Sequence, residues 1–404
     1  MTLSPRERVL ATMNHEEPDR IPVDLGGGNA SNIMVGPYRR LCEHLGIDAE
    51  PIYVANVREQ TVIIDDKIAD ALGLDAKEID LFPEHWVEGK AYDGTPILLP
   101  QGFVTDELED GSQIYRDSKG NPELKLPKDG LFFDIIRHPL GDVASVGDID
   151  AFMDRIEGND RPSWADLPLD SLAAKVEKIR RQTGRFLVGS FLGRMFQAAQ
   201  TLRGFSDFMI DLIKRPALAE ALLDRLAEAH IKAFDRYAET VGKSLDVILI
   251  CDDLGMQQAT WMSPETYRRH VKPYQAKLYR HIKAKCDAPI LLHSDGSLYP
   301  LIPDLIEIGV DALNPVQYNA KDMELARLKR EFGDDLCFWG GGVDTQHTLP
   351  FATAEEVAEE VKRNIDILAP GGGFVFAAVH NILEGVPTEN ILAAFRTAKE
   401  HGIY

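Results

Sequence analysis

The chain has 404 residues, 44% hydrophobic and 27% charged, which is ordinary globular material with length enough for one large barrel or for two to three smaller domains. Its formal net charge of −21 excludes the basic face that nucleic acid needs and argues against docking to an anionic membrane surface. Cys42, Cys251, Cys286 and Cys337 are widely spaced without a CxxC pair, and the opening Met1-Thr2-Leu3-Ser4-Pro5-Arg6-Glu7-Arg8 lacks the apolar core of a signal peptide. No window approaches the ~20 apolar residues that span a bilayer, so the expectation is a cytoplasmic protein with free thiols.

Ser4-Pro5, with Glu7 at the capping-box position, starts a helix whose Val9, Leu10 and Met13 form one face. A short strand, Arg20 to Leu25, runs into the turn Gly26-Gly27-Gly28. Between 53 and 142 the signals Asp93-Gly94-Thr95-Pro96, Asp110-Gly111-Ser112 and Lys119-Gly120-Asn121-Pro122 predict inserted β-hairpins. Residues 148–170 read as a linker plus a short helix.

From Ala173 a regular alternation begins. Strands are expected at 186–191, 246–251, 289–293, 311–315, 336–340 and 374–379. Between them lie helices at 205–214, 216–241, 264–286, 299–308, 320–332 and 354–368, and a last helix spans 389–400. Strands apolar throughout are buried on both faces, which means a parallel sheet. With Val23 and one strand of the early region the count reaches about eight. The expected fold is therefore α/β: a single (β/α)8 TIM barrel over 1–404, with 53–142 as an insertion of short strands and loops. A doubly wound sheet is the alternative, but the glycine fingerprint of dinucleotide folds is missing.

Function in such a barrel sits at the C-terminal strand ends. In order these are Asp24; Phe191 to Arg194; Cys251-Asp252-Asp253; His293-Ser294-Asp295; Asn314 to Gln317; Gly340 to Gln346; and His380-Asn381. Helix capping accounts for aspartate and serine at such places, but histidine is a poor cap. His293 and His380, with Asp295 on the His293 face if the strand persists, suffice for a zinc site with one open position. Asp252 and Asp253 are candidate acid–base groups. Asn314, Gly341 and Gly342 are candidate cofactor contacts, the glycines because a ligand can approach a residue without a side chain. His230, His270 and His281 lie on helices and read as packing or surface residues. His347 is a weaker second candidate, Cys251 and Cys337 read as buried thiols, and no glycine triplet is followed by Lys-Ser/Thr, so a P-loop is excluded.

Several segments in order carry a family likeness: Leu202-Arg203-Gly204-Phe205, Ser263-Pro264 with Pro273-Tyr274, Gly342-Val343-Asp344, and Val386-Pro387-Thr388-Glu389-Asn390-Ile391. From about Phe186 onward the chain resembles the uroporphyrinogen decarboxylase superfamily, which implies a (β/α)8 barrel and, commonly, a homodimer. The decarboxylases of that superfamily carry an N-terminal Met-Arg-Gln-Ala-Gly-Arg segment whose arginines bind porphyrinogen carboxylates. Here Leu25-Gly26-Gly27-Gly28-Asn29-Ala30-Ser31-Asn32 stands in that region, without an arginine.

The other branch comprises zinc- and corrinoid-dependent methyltransferases, whose thiol-methylating members bind zinc through His-x-Cys and a late cysteine. This chain matches those places with His293-x-Asp295 and His380, so both thiolates have become harder donors. Two histidines and one carboxylate leave about one net positive charge on zinc, by formal ligand counting, which suits an oxygen leaving group. The resemblance thus implies transfer of a methyl group from a small methylated compound, an aryl methyl ether, to cob(I)alamin. No Asp-x-His-x-x-Gly is present, so the cobalamin is expected on a separate corrinoid protein. A porphyrinogen decarboxylase and a non-catalytic small-molecule-binding barrel are the rival readings.

Overall fold

The computed structural model describes residues 2–28, 30–79, 85–117, 119–158, 169–241 and 244–404. Seven parallel strands form one sheet. In spatial order they are Ala76–Ile79, Phe186–Leu192, Val247–Cys251, Ile290–His293, Ala312–Asn314, Cys337–Trp339 and Phe374–Val375. The two open edges meet across residues 22–24. Phe376 N donates to Pro22 O (2.9 Å) and Asp24 N to Phe376 O (2.8 Å), while Asp75 N donates to Val23 O (2.8 Å). That segment is the eighth stave, and spatial order equals chain order, as a (β/α)8 barrel requires.

Alternation along each strand divides the apolar residues into two shells. Ala76, Phe186, Val188, Val247, Leu249, Cys251, Leu291, Ala312, Cys337, Trp339 and Val375 pack together inside the ring. Leu187, Ile248, Ile250, Ile290, Leu292, Leu313, Phe338 and Phe374 face outward under the helices. Helix Pro5–Met13 has the capping box read from Ser4 and Glu7. Its Val9 joins the inner shell, with Leu10 and Met13 packed against it. Arg6 N bonds Gly184 O and Gly373 N bonds Thr12 O, so this helix lies across the strands' N-terminal ends and seals the barrel floor.

A buried ion cluster ties the seal to the closing stave. Asp75 accepts from Arg8 Nη1 (2.6 Å), Arg20 Nη1 (2.7 Å) and Val23 N (2.8 Å). One carboxylate thereby joins the floor helix, the first stave and the second.

The early barrel strand, Ala76–Ile79, lies within the stretch expected as hairpins, and most of the hairpins follow it. Trp86–Lys90 pairs antiparallel with Pro96–Pro100; Thr105–Glu107, Gln113–Arg116, Pro122–Leu126 and Asp134–Ile135 form a four-stranded sheet. The glycine turns read from sequence are present, with φ of +82° at Gly94, +78° at Gly111 and +81° at Gly120. The insertion returns to the barrel mouth, where Phe133 N bonds Arg58 O (2.9 Å) and Leu140 N bonds Leu202 O (2.8 Å).

Three helical spans depart from expectation, the span 299–308 by dividing into a 3-10 turn, Tyr299–Leu301, and helix Ile302–Glu307. The span 264–286 divides into Pro264–His270 and Lys272–Lys285, because Pro273 has no N–H to continue the first helix's ladder. The span 320–332 begins only at Leu325; Asp322 adopts φ +62°, which no helix accommodates. Helix Val146–Gly158 matches the short helix read at 148–170, and the linker expected after it lies largely outside the described residues. Among the described residues no helix is long and apolar enough to cross a membrane, and all four cysteines are unpaired.

Candidate metal centre

Strand Ile290–His293 is buried throughout and ends at the barrel mouth with His293 pointing inward. The strand does not persist to Asp295, yet the loop brings that carboxylate back: Asp295 Oδ2 lies 3.6 Å from His293 Nε2 and 3.5 Å from His380 Nε2. One ligand atom from each of the three falls within 4.8 Å of the others. Donors about 2 Å from a shared zinc ion stand roughly 3 to 4 Å apart, and the two distances from Asp295 fall in that range. His293 is almost covered (8% exposed), whereas His380 and Asp295 (32% each) face the opening. The geometry leaves one side for a further ligand.

The loop is held by close backbone packing. A Cβ on Gly255 would lie 2.5 Å from Asp295 O, and Gly296 sits at φ +90° against Gly255. Ser294 Oγ accepts from Leu254 N (2.9 Å) and Asp253 Oδ1 from Asp295 N (3.2 Å). Two strand-end loops thus lock together around the carboxylate.

Asn314 sets the histidine tautomer. Its Nδ2 donates to Ser31 Oγ (2.9 Å) and Trp339 O (3.1 Å), which leaves Oδ1 to accept from His293 Nδ1 (2.9 Å). In the neutral ring the proton therefore stays on Nδ1, which makes Nε2, the nitrogen facing Asp295, the one free to ligate. Asn314→Ala is expected to weaken divalent-metal affinity by about 10- to 100-fold, measured by competition with a chromophoric chelator.

Burial disfavours charge on His293, but Asp295 first, then Asp253 and Asn314, hold its pKa up at about 9. Burial likewise opposes ionisation of Asp295, and the two histidines overcome it, pulling the carboxyl down to about 2. Asp253, 3.7 Å from His293 Nε2, is pushed up by burial and by Asp295 against the pull of His293. An anionic Asp295 beside an acid with a raised pKa is a differentiated pair.

The family model described as Uroporphyrinogen decarboxylase (URO-D) matches residues 149–401. The chain belongs to the uroporphyrinogen decarboxylase family. A uroporphyrinogen decarboxylase of Synechocystis sp. is 26% identical over 283 residues, covering 68% of this chain and 75% of that one. Another, from Parasynechococcus marenigrum, is 27% identical over 282 residues, covering 68% and 74%. Among solved structures, a methyltransferase from Methanosarcina mazei superposes with a TM-score of 0.60 at 19% identity, covering 98% of this chain and 99% of that one. The likeness of fold therefore runs beyond the segment matched by the family model.

In this member of the uroporphyrinogen decarboxylase family, three sequence-predicted residues take other work. Asp252 is fully buried and accepts from Phe196 N (3.0 Å), Gln197 N (2.9 Å) and Gln275 Nε2 (2.7 Å). Burial lifts its pKa to about 6 against those donors. It thus caps helix Phe196–Arg203, whereas Asp253 is the one of the two that lies within 3.7 Å of His293 Nε2. Gly341 and Gly342 are demanded by packing: a Cβ would meet Val316 at 3.0 Å and the Phe376 ring at 2.3 Å, respectively. Packing against protein alone therefore accounts for the missing side chains.

His230, His270 and His281 bond Arg194 O, Glu220 and Asp235, and His347 bonds Asp344, so none joins the cluster. Asp24 accepts from Trp339 Nε1 (2.7 Å) and Gly27 N (2.8 Å) inside the barrel, where burial raises its pKa to about 7. The sequence reading missed Glu59, which accepts from Asn381 Nδ2 (2.6 Å) beside His380. It also gave no role to Arg58 and Arg194. Arg194 lay in the strand-end tally, where position was its one signal.

Proposed function

We propose that this chain is a zinc-dependent methyltransferase that moves a methyl group from a small aryl methyl ether to the cob(I)alamin of a separate corrinoid protein. The convergence of His293, Asp295 and His380 at the mouth of a barrel sealed at its floor carries this reading. Bound by these three residues, zinc supplies Lewis acidity toward the ether oxygen.

The chain's own residues do the rest. Asn314 engages His293 Nδ1 and so directs Nε2 toward Asp295. Asp253, with its raised pKa, is placed to hold a proton for the departing phenolate, and Gln197 Nε2 donates to its other oxygen, fixing its direction. The inner shell of Leu249, Leu291 and Trp339 excludes water from below.

The name shared by the curated relatives favours decarboxylation as the second reading. Against it, the segment that would clamp a polyanion offers Ser31 and Asn32, and their polar groups bond Asn314, Asn381 and Ile33. Anaerobic incubation with methoxylated aromatics and reduced corrinoid protein is expected to yield the methylcob(III)alamin spectrum. Loss of carbon dioxide from uroporphyrinogen without metal would establish decarboxylation instead, and inertness in both assays would leave a binding barrel.

Metal uptake is coupled to a proton. A ligating histidine must be neutral, whereas metal-free His293 keeps its proton up to pH about 9. Zinc affinity should therefore climb about tenfold per pH unit from neutrality toward that value and then level off. Calorimetry in buffers of different ionisation enthalpy should count about one proton released per ion near neutral pH. A pH-independent affinity would contradict the assignment of His293 as a ligand.

A further inference from the structure

The two imidazoles of the metal centre have supports of different kinds. His293 ends a barrel strand and is fixed by it, whereas His380 stands in a loop beyond the last strand, Phe374–Val375. Their ring centroids are 5.8 Å apart, and a shared ion tolerates little error in that spacing.

Segment 31–34, which follows the first stave, touches both supports. On the His380 side it pairs in parallel with 381–382. Ile382 N donates to Asn32 O (2.8 Å), Met34 N to Ile382 O (2.9 Å), and Asn32 N to the side-chain Oδ1 of Asn381 (2.8 Å). Asn381 Nδ2 then reaches Glu59 Oε2 (2.6 Å), so the residue next to His380 is held from two directions. On the His293 side Ser31 Oγ accepts from Asn314 Nδ2 (2.9 Å), and Asn314 Oδ1 faces His293 Nδ1 (2.9 Å).

The segment is itself anchored to the barrel. Gly26 N donates to Ser31 O and Gly27 N to Asp24 Oδ1 (2.8 Å), while Asp24 Oδ2 accepts from Trp339 Nε1 (2.7 Å). Trp339 O takes the other hydrogen of Asn314 Nδ2 (3.1 Å), which closes a ring of contacts through Asp24, Trp339, Asn314 and Ser31. Ser31, Asn32, Asn314 and Asn381 are 4%, 1%, 4% and 1% exposed. Their bonds are made away from water, where solvent does not replace a lost partner.

We propose that segment 31–34 is a strap that sets the distance between His293 and His380, with Ser31 and Asn381 as positioning residues and Glu59 as the outer anchor. None of them acts on an ion directly. Each orients a neighbour of a ligand, as the groups behind metal-binding histidines do. A strap differs from two separate props in one respect: cutting either end frees the same distance, so a second cut adds little. The inference rests on reading His293, Asp295 and His380 as metal ligands; it does not rest on methyl transfer.

Zinc affinity of the full chain, measured by chelator competition after metal removal, reads the spacing without turnover. Ser31→Ala and Glu59→Ala should each weaken binding about tenfold, and the double variant should bind about as well as the weaker single one. Ser31→Thr keeps the hydroxyl, and Glu59→Gln keeps an acceptor for Asn381 while losing the charge; both should stay near the parent. Thr61→Ala is the control, because Thr61 pairs with Met34 and its buried hydroxyl has no hydrogen-bond partner among the described residues. It should leave affinity unchanged. Cobalt(II) in place of zinc should show altered visible bands in Ser31→Ala, since a displaced histidine changes the metal's geometry, and melting curves of the metal-free proteins confirm the fold. Parent-like affinity in both alanine variants overturns the strap and leaves the metal centre standing. Losses that multiply in the double variant give each histidine its own support and overturn it too, as does an equal loss in Thr61→Ala. A loss in Glu59→Gln matching that in Glu59→Ala reduces Glu59 to a charge and removes the anchor. A parent that takes up no zinc ends the metal reading, and the strap with it.

Discussion

Replacing His293 and His380 together with alanine should yield a folded protein that retains no stoichiometric zinc and has lost methyl transfer by about a thousandfold or more. The magnitude follows from Lewis-acid stabilisation of several kcal/mol at the leaving oxygen, at about 1.4 kcal/mol per tenfold in rate. The fold should survive, since His380 is partly exposed and His293 contributes one ring among a large apolar core. Metal analysis by mass spectrometry, circular dichroism and the corrinoid assay on one preparation give the three readings together. Stoichiometric zinc retained by the double variant would place the ion elsewhere and end the proposed mechanism.

The second large effect concerns stability. Asp75→Ala removes the carboxylate that Arg8, Arg20 and the Val23 amide share, and Arg8 is 5% exposed. Its guanidinium would keep Asp19 but lose its more buried partner, and a stave amide would lose its acceptor. Breaking a buried pair from one side costs about 3–5 kcal/mol, which urea denaturation should show as a lowered midpoint. Arg8→Met in the same background should recover part of the loss, because no unpaired buried cation then remains. A change below about 1 kcal/mol, the range of an exposed pair, would show that the cluster does not tie floor to stave.

The barrel is legible in the sequence because its strands are apolar on both faces. Val247 to Cys251 and Ile290 to Leu292 leave no polar side to expose. His293 and His380 are legible for a related reason: imidazoles that close apolar, β-prone runs have no capping role to explain them, although the last strand itself ends at Val375. The rest depends on contacts distant in sequence. Asp252 and Asp253 are neighbours of one residue type, and only the arrival of the Phe196 helix N-terminus decides which is tied down. Gly341 and Gly342 resemble ligand-approach glycines until Val316 and the Phe376 ring, respectively, are seen to lie where their side chains would be.

The helix laid across the strands' N-terminal ends turns the barrel into a cul-de-sac. On the proposed chemistry, small reactant and large carrier protein must then use a single doorway in succession. On that chemistry the aromatic compound would enter while the rim is bare, and a carrier seated over the rim to take the methyl group would have to lift away before the demethylated remainder could leave. Departure of a small molecule would then be slaved to dissociation of a protein, and an oversupplied carrier would hold the exit shut.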